Sequence, residues 1–128
     1  LAQQSQALRD ADRRALMRRM VALAFELKRE LESGHLDAVG ALLDENWRLK
    51  AQLTAAISDA QIDGWYAAGL AHGALGGKLL GAGNGGFLMF YAPAERHDEI
   101  AGALPGLQPV KFHFDRNGAQ IVFFQPHE

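Results

Sequence analysis

The stretch Gly73-Ala-Leu-Gly-Gly-Lys-Leu-Leu-Gly-Ala-Gly-Asn-Gly-Gly86 sits where the chain changes character, and its reading decides the fold. Each glycine loses more conformational entropy on folding than another residue would, so so dense a run is costly unless backbone geometry requires it. Consecutive glycines can turn their amide N–H groups toward one point, or let backbone approach where a Cβ would clash. On either side lie short apolar runs, Gly77 to Leu80 and Phe87 to Tyr91. The second, Phe-Leu-Met-Phe-Tyr, suits a strand covered on both faces. A strand on each side makes the stretch a hairpin connection.

Two phosphate-binding patterns fail on that context. Gly81, Gly83 and Gly86 satisfy G-x-G-x-x-G, but this fingerprint opens a helix, whereas Phe87 to Tyr91 reads as a strand. The phosphate-loop pattern needs Ser or Thr after Gly-Lys and a glycine five positions before the second one; here Leu79 follows Lys78 and position 72 is His. A tight hairpin without ligand and a loop facing a phosphate both remain open from the residues alone.

Upstream, the chain reads as helices. Leu8, Ala11, Ala15, Leu16, Met20, Leu23, Leu27 and Leu31 recur at three- and four-residue spacing, which predicts one helix from Ala7 to about Ser33 with a single apolar stripe. Ser33-Gly34 ends it with glycine in the left-handed conformation. A second stripe runs through Leu36, Val39, Leu43, Trp47, Leu53 and Ile57. Ser58 to Gln61 has a capping-box pattern, so a third helix starts at Asp59 and stops near Gly73. The two long helices, joined by a short turn, should pack antiparallel.

Downstream, Pro93 opens a short helix over Ala94 to Leu104, with Glu95 in its first turn. Val110, Phe112 and Phe114 then alternate with polar residues, Asp115 to Gly118 signals a turn, and Gln120 to Phe124 returns as the partner strand. The fold class is α+β, one domain over 1–128, with helices on one face of a four-stranded, mainly antiparallel sheet.

Composition narrows the function. The 128 residues carry a net charge of −2, with basic clusters only at Arg13-Arg14 and Arg18-Arg19, so no basic face argues for nucleic acid. There is no cysteine, which excludes disulfides and thiolate chemistry. No apolar run approaches the roughly 20 residues of a membrane span, and no signal peptide is seen at the polar N-terminus. These features fit a cytoplasmic location. Leu1 in place of Met suggests a fragment or a processed chain.

Gly73 to Phe87 resembles the third, C-terminal motif of the GHMP kinases, approximately G-A-x-G-A-K-x-x-G-A-G-x-G-G. Leu43-Asp-Glu-Asn-Trp-Arg-Leu-Lys50, with Ile57-Ser58 and Ile62-Asp63, is similar to the branch containing the heptose 7-phosphate kinases. The resemblance implies a ferredoxin-like C-terminal domain and transfer of the ATP γ-phosphoryl group to a small-molecule acceptor with Mg²⁺. It departs from the family at Asn84, where the heptose branch has glycine. Nothing here matches the family's N-terminal P-x-x-x-G-L-x-S-S-A loop, so the resemblance implies a lobe whose N-terminal ATP-binding partner is missing, inactive alone, with no catalytic or metal-binding residue of its own and no ATP or Mg²⁺ bound to it.

By the same resemblance, Gly81, Ala82, Gly83, Asn84, Gly85 and Gly86 lie beside the transferred phosphate, and the Lys78 ammonium could meet a sugar phosphate. Lys50 is a weaker candidate of the same kind. Trp47, Trp65 and Tyr66 occupy apolar helical positions and read as core or lobe-interface residues. Asp44-Glu45 and Asp59 with Asp63 could be read as acid/base pairs, but a solvated face or a cap explains them as well. His72 reads as an exposed helix-end residue and His127 as surface. The implied partners are the N-terminal kinase domain and a small sugar phosphate, not a membrane or a nucleic acid, and a lobe missing its partner exposes apolar surface that permits homo-oligomers. A stand-alone ligand-sensing or interaction domain on the same fold is the alternative, and a relative that turned the lobe to decarboxylation or regulation is a third.

Overall fold

The structure is a computed structural model, and it describes residues 2–53, 60–80 and 86–112. In chain order it contains α1 (Ala2–Ser33), α2 (Leu36–Leu53), α3 (Ala60–Ala71), β1 (Gly76–Leu80), β2 (Phe87–Tyr91), a 3-10 turn over Ala94–Arg96 and α4 (His97–Gly102). The α+β class is therefore observed.

Glycine ends two helices by the same device. At Gly34 (φ +76°), the His35 N–H reaches the Glu30 carbonyl at 3.0 Å and the Gly34 N–H reaches Leu31 at 3.3 Å. At Gly73 (φ +113°), the Ala74 N–H bonds Gly69 at 2.9 Å and the Gly73 N–H bonds Leu70 at 3.3 Å. This paired arrangement satisfies carbonyls that would otherwise be orphaned, and it needs a residue that accepts positive φ. Ser58 and Asp59, on which the expected cap of α3 rests, lie outside the described residues.

The first turn folds α2 back on α1. Leu23 is buried between them with Val39 and Leu43, and Leu16, Met20 and Leu27 are half-buried on the same face. Arg19 clasps Glu45 with two hydrogen bonds, at 2.8 and 3.1 Å, and bonds Glu26 at 3.0 Å. That guanidinium holds the Glu45 carboxyl below the usual carboxylate range, yet both side chains are exposed, so the clasp orients α1 more than it stabilises it. The expected stripe is only partly used: Leu8, Ala11 and Ala15 are exposed, and packing begins at Leu16.

β1 and β2 pair antiparallel from Gly76–Tyr91 to Leu80–Phe87. α2 lies against β1 so closely that no side chain fits between them. A Cβ on Gly76 would run into the Gly40 carbonyl oxygen and come within 2.9 Å of the Asp44 nitrogen, and one on Gly40 would meet the Leu75 side chain. Beyond the strands, Ala74, Ile100 and Leu104 form a second core, onto which Trp65, Phe90 and Leu107 pack. β2 is less enclosed than its apolar sequence suggests: Phe87 is 61% exposed and Leu88 to Tyr91 are half-buried.

The described sheet has two strands. Of the expected second hairpin, residues 110–112 are exposed and outside any strand, and 113–128 lie outside the described residues.

Two alanine substitutions should move stability in opposite directions. Gly76→Ala should destabilise by about 2–4 kcal/mol, because backbone on both sides of the clash must separate. Gly64→Ala, in α3 with nothing within 4 Å of the added carbon, should stabilise by roughly 0.5–1 kcal/mol. Urea denaturation of the two variants checks both signs.

Candidate functional site

The ladder closes at Leu80–Phe87, so residues 81–86 join two paired strand ends. Gly81, Ala82, Gly83, Asn84 and Gly85 lie outside the described residues; Gly86 is described, exposed, with φ +154°. What the structure shows is the base on which the loop is carried.

Three rungs down the strand pair from the loop, where Gly77 faces Phe90, lies a stack of aromatic rings. Trp47 of α2 lies flat on Tyr66 of α3, with centroids 3.9 Å apart and planes within 3° of parallel. Tyr66 in turn faces Phe90 of β2, centroids 6.0 Å apart. Such pairs contribute about 0.5–1.5 kcal/mol each beyond the area they bury. Gly77 and Gly69 make the room: a Cβ on Gly77 would come within 2.6 Å of the Met89 carbonyl oxygen and crowd the Phe90 and Tyr66 rings at 3.2 Å, and one on Gly69 would enter the Phe90 ring. Gly77 of the quoted stretch, like Gly76, thus serves packing directly.

A polar link crosses the same place. The Tyr66 hydroxyl donates to Asp44 Oδ1 at 2.6 Å, and Arg48 Nε donates to Asp44 Oδ2 at 2.9 Å. Burial first, then the hydrogen bond to Asp44 and the Asp44 charge, push the Tyr66 phenol above the ordinary tyrosine range, against a backbone hydrogen bond from Gly77. Asp44 and Glu45 are both spoken for, by Tyr66 with Arg48 and by Arg19, so the acid/base reading of that pair is replaced by a structural one.

Lys78 stands exposed on β1, opposite Met89 in the register, and makes no ion pair with any described residue. A cation held on a rigid strand two residues before the loop is available to an anion. Lys50, in the last turn of α2, is exposed but already engaged in an interaction. Asp63 is exposed on α3 and likewise engaged; Asp59 and His127 lie outside the described residues. His72, half-buried, is more than a surface residue: its Nδ1 lies 3.4 Å from Glu99 Oε1, and Arg96 bonds the same carboxylate at 2.7 Å. Arg96 first, then His72, hold Glu99 below the usual carboxylate range. This fastens the end of α3 to α4. Among the described residues no group of three or more His, Asp or Glu could hold a metal ion, and no helix is long and apolar enough to cross a membrane.

Sequence reasoning placed Trp47 and Tyr66 on apolar faces but missed that Asp44, Arg48 and Gly40 act with them. Gly40 inside a helical pattern was the available signal, because a glycine there calls for a packing reason.

Helices laid on an antiparallel strand pair define an α+β lobe. Residues 27–107, more than half of the chain, match the family described as GHMP kinases C terminal, and the chain belongs to that family. It is also similar to the D-glycero-alpha-D-manno-heptose 7-phosphate kinase of Campylobacter jejuni, at 28% identity over 78 residues. That alignment takes in 60% of this chain and 23% of the kinase, so the chain spans about a quarter of the relative it matches.

Tyr66 supplies two predictions. Tyr66→Phe should destabilise by roughly 1–2 kcal/mol by leaving the half-buried Asp44 oxygen without its donor, read by thermal unfolding. Because folding raises the phenol pKa, its contribution is intact below the ordinary tyrosine value of about 10 and is lost as pH climbs from there toward the folded-state value. An NMR titration of ring-labelled tyrosine should find the Tyr66 signal still un-ionised well above that value.

Proposed function

We propose that this chain is the C-terminal lobe of an ATP-dependent sugar or sugar-phosphate kinase, similar in acceptor to heptose 7-phosphate kinases, working in the cytoplasm with an N-terminal ATP-binding lobe. Within this reading the domain spans 1–128, and the second hairpin expected over 110–124 completes a four-stranded sheet. The observation that carries it is the strand pair that closes at Leu80–Phe87 under the glycine-rich connection, with Lys78 exposed and free of ion pairs to described residues beside it. The family match and the likeness to a heptose 7-phosphate kinase supply the reaction class.

Phosphoryl transfer depends on positioning and charge neutralisation rather than on covalent chemistry by the protein. The described residues offer no cluster that fits Mg²⁺, and Asp44 and Glu45 are held by other side chains. In this reading, as the family resemblance implies, ATP, Mg²⁺ and the catalytic groups belong to the other lobe. This lobe contributes the backbone amides of Gly81 to Gly86, which approach the transferred phosphate, and the Lys78 ammonium, which holds the acceptor's phosphate. The rings of Trp47, Tyr66 and Phe90 keep the strands that carry both from shifting.

Two measurements test this. Amide NMR of the 128-residue chain should show no response to MgATP and weak shifts near Gly77 to Gly86 with D-glycero-D-manno-heptose 7-phosphate; saturable nucleotide binding at micromolar concentration would overturn it. In the complete natural polypeptide, Lys78→Met should raise the KM for the sugar phosphate by about 10- to 100-fold, the loss of one charged hydrogen bond, and leave the KM for ATP unchanged.

A further inference from the structure

One face of the strand pair changes character along its length. Side chains alternate across a strand, and residues paired in an antiparallel ladder share a face. The register therefore sets Gly76, Lys78 and Leu80 on one face with Phe87, Met89 and Tyr91. At the Gly76 end α2 closes that face, its Gly40 carbonyl and Asp44 nitrogen leaving no room for a Cβ. At the loop end the face is open: Lys78 is exposed, Leu80 is 37% and Phe87 61% exposed, and Met89 is half-buried. Phe90, of the opposite parity, is taken up by Gly69 and the Tyr66 ring.

A single exposed apolar side chain calls for no explanation. Phe87 is not single. It stands opposite Leu80 in the last rung before the glycine-rich connection and diagonal to Lys78, which makes no ion pair with any described residue. Diagonal neighbours on one sheet face are about 7–8 Å apart, within reach of a ring and a long side chain. A cation, an aromatic face and an aliphatic edge are thus held together on two strands whose ladder fixes their spacing.

This set suits a ligand that is amphipathic in a particular way. An ammonium attracts a phosphate. The face of an aromatic ring is electronegative, and it attracts C–H groups polarised by an attached oxygen. A sugar offers such C–H groups on its faces and keeps its hydroxyls at the rim, in water. In the kinase reading Lys78 holds the acceptor's phosphate, so the group beside Phe87 is the carbon skeleton next to that phosphate. We infer that Phe87 is the platform on which the sugar of a phosphorylated acceptor stacks, with Leu80 at its edge. The inference rests on the kinase reading above and adds the residue that recognises the acceptor's carbon skeleton.

Calorimetric titration of the complete natural polypeptide with D-glycero-D-manno-heptose 7-phosphate, inorganic phosphate and MgATP tests it, with turnover of the sugar phosphate measured alongside. Phe87→Leu keeps the strand apolar and removes the ring face, and at an exposed position it is compatible with folding. It should weaken heptose 7-phosphate binding about 3- to 10-fold, the worth of one ring face, and leave inorganic phosphate and MgATP unchanged. Phe87→Trp, which keeps a ring face, should bind the sugar phosphate within about twofold of the unsubstituted protein. A merely structural role would move all three ligands together and would overturn the inference. Equal affinity for heptose 7-phosphate in Phe87→Leu also overturns it, while turnover leaves the kinase reading standing. Weakened sugar-phosphate binding in a polypeptide that shows no turnover upholds the platform and sinks the kinase reading. Weakening confined to MgATP would give the ring to the nucleotide and overturn the inference. No binding of the sugar phosphate to the unsubstituted polypeptide overturns both.

Discussion

The contact on which the rest of this structure depends is made by two glycines, set against backbone and the Cβ of one leucine. α2 lies on β1 where Gly40 meets Leu75 and Gly76 meets the Gly40 carbonyl and the Asp44 nitrogen. That approach sets the height of α2 above the strand. The height in turn decides whether Asp44 can reach Tyr66 and whether Trp47 can lie flat on its ring, since both project from α2 within two turns of Gly40. Dispersion and hydrogen bonding fall off over fractions of an ångström, so an interlayer distance fixed by backbone gives the aromatic stack little freedom to misregister.

The glycines of the quoted stretch then separate into two groups with different physical reasons. Gly73 is required by its positive φ at the end of α3, and Gly76 and Gly77 by close approach, to helix backbone in one case and to the Met89 carbonyl and two aromatic rings in the other. Gly81, Gly83 and Gly85 lie outside the described residues and follow directly on the strand that Gly76 and Gly77 pack. What the described residues show is that both ends of the connection, Leu80 and Phe87, are held by the strand ladder.

Elements governed by local chemistry were legible in the sequence. The stops at Gly34 and Gly73 and the two strands about the glycine run follow from φ preferences and short apolar runs and appear within a residue of the expected places, and the helix expected over Ala94 to Leu104 appears as a 3-10 turn followed by α4, which ends at Gly102. Elements governed by long-range geometry were not. Asp44 and Tyr66 are 22 positions apart, and nothing in a helical period says that a carboxylate on one helix will accept from a phenol on another. The stripe on α1 shows a subtler failure: periodicity identifies an apolar face but not how far a partner extends along it. Leu8, Ala11 and Ala15 keep the spacing, yet α2 ends before reaching them. The glycines and Lys78 stood out as composition, with residues 81–85 outside the described ones, whereas the aromatic stack of Trp47, Tyr66 and Phe90 needed coordinates.

Gly40 and Gly76 also carry a consequence for how such a lobe diverges among its relatives. Most packing pairs drift by compensation: one side chain shrinks as its neighbour grows, and the sum of volumes is kept. Here neither residue has a side chain to shrink. A larger residue at either position finds no reciprocal change at the other, only displacement of a whole helix together with its ring stack and its arginine clasp. The pair is an evolutionary ratchet. With the backbones closed to this distance, the exposed strand positions are free to change, while the helix–strand seam beneath them is left without a small step to take.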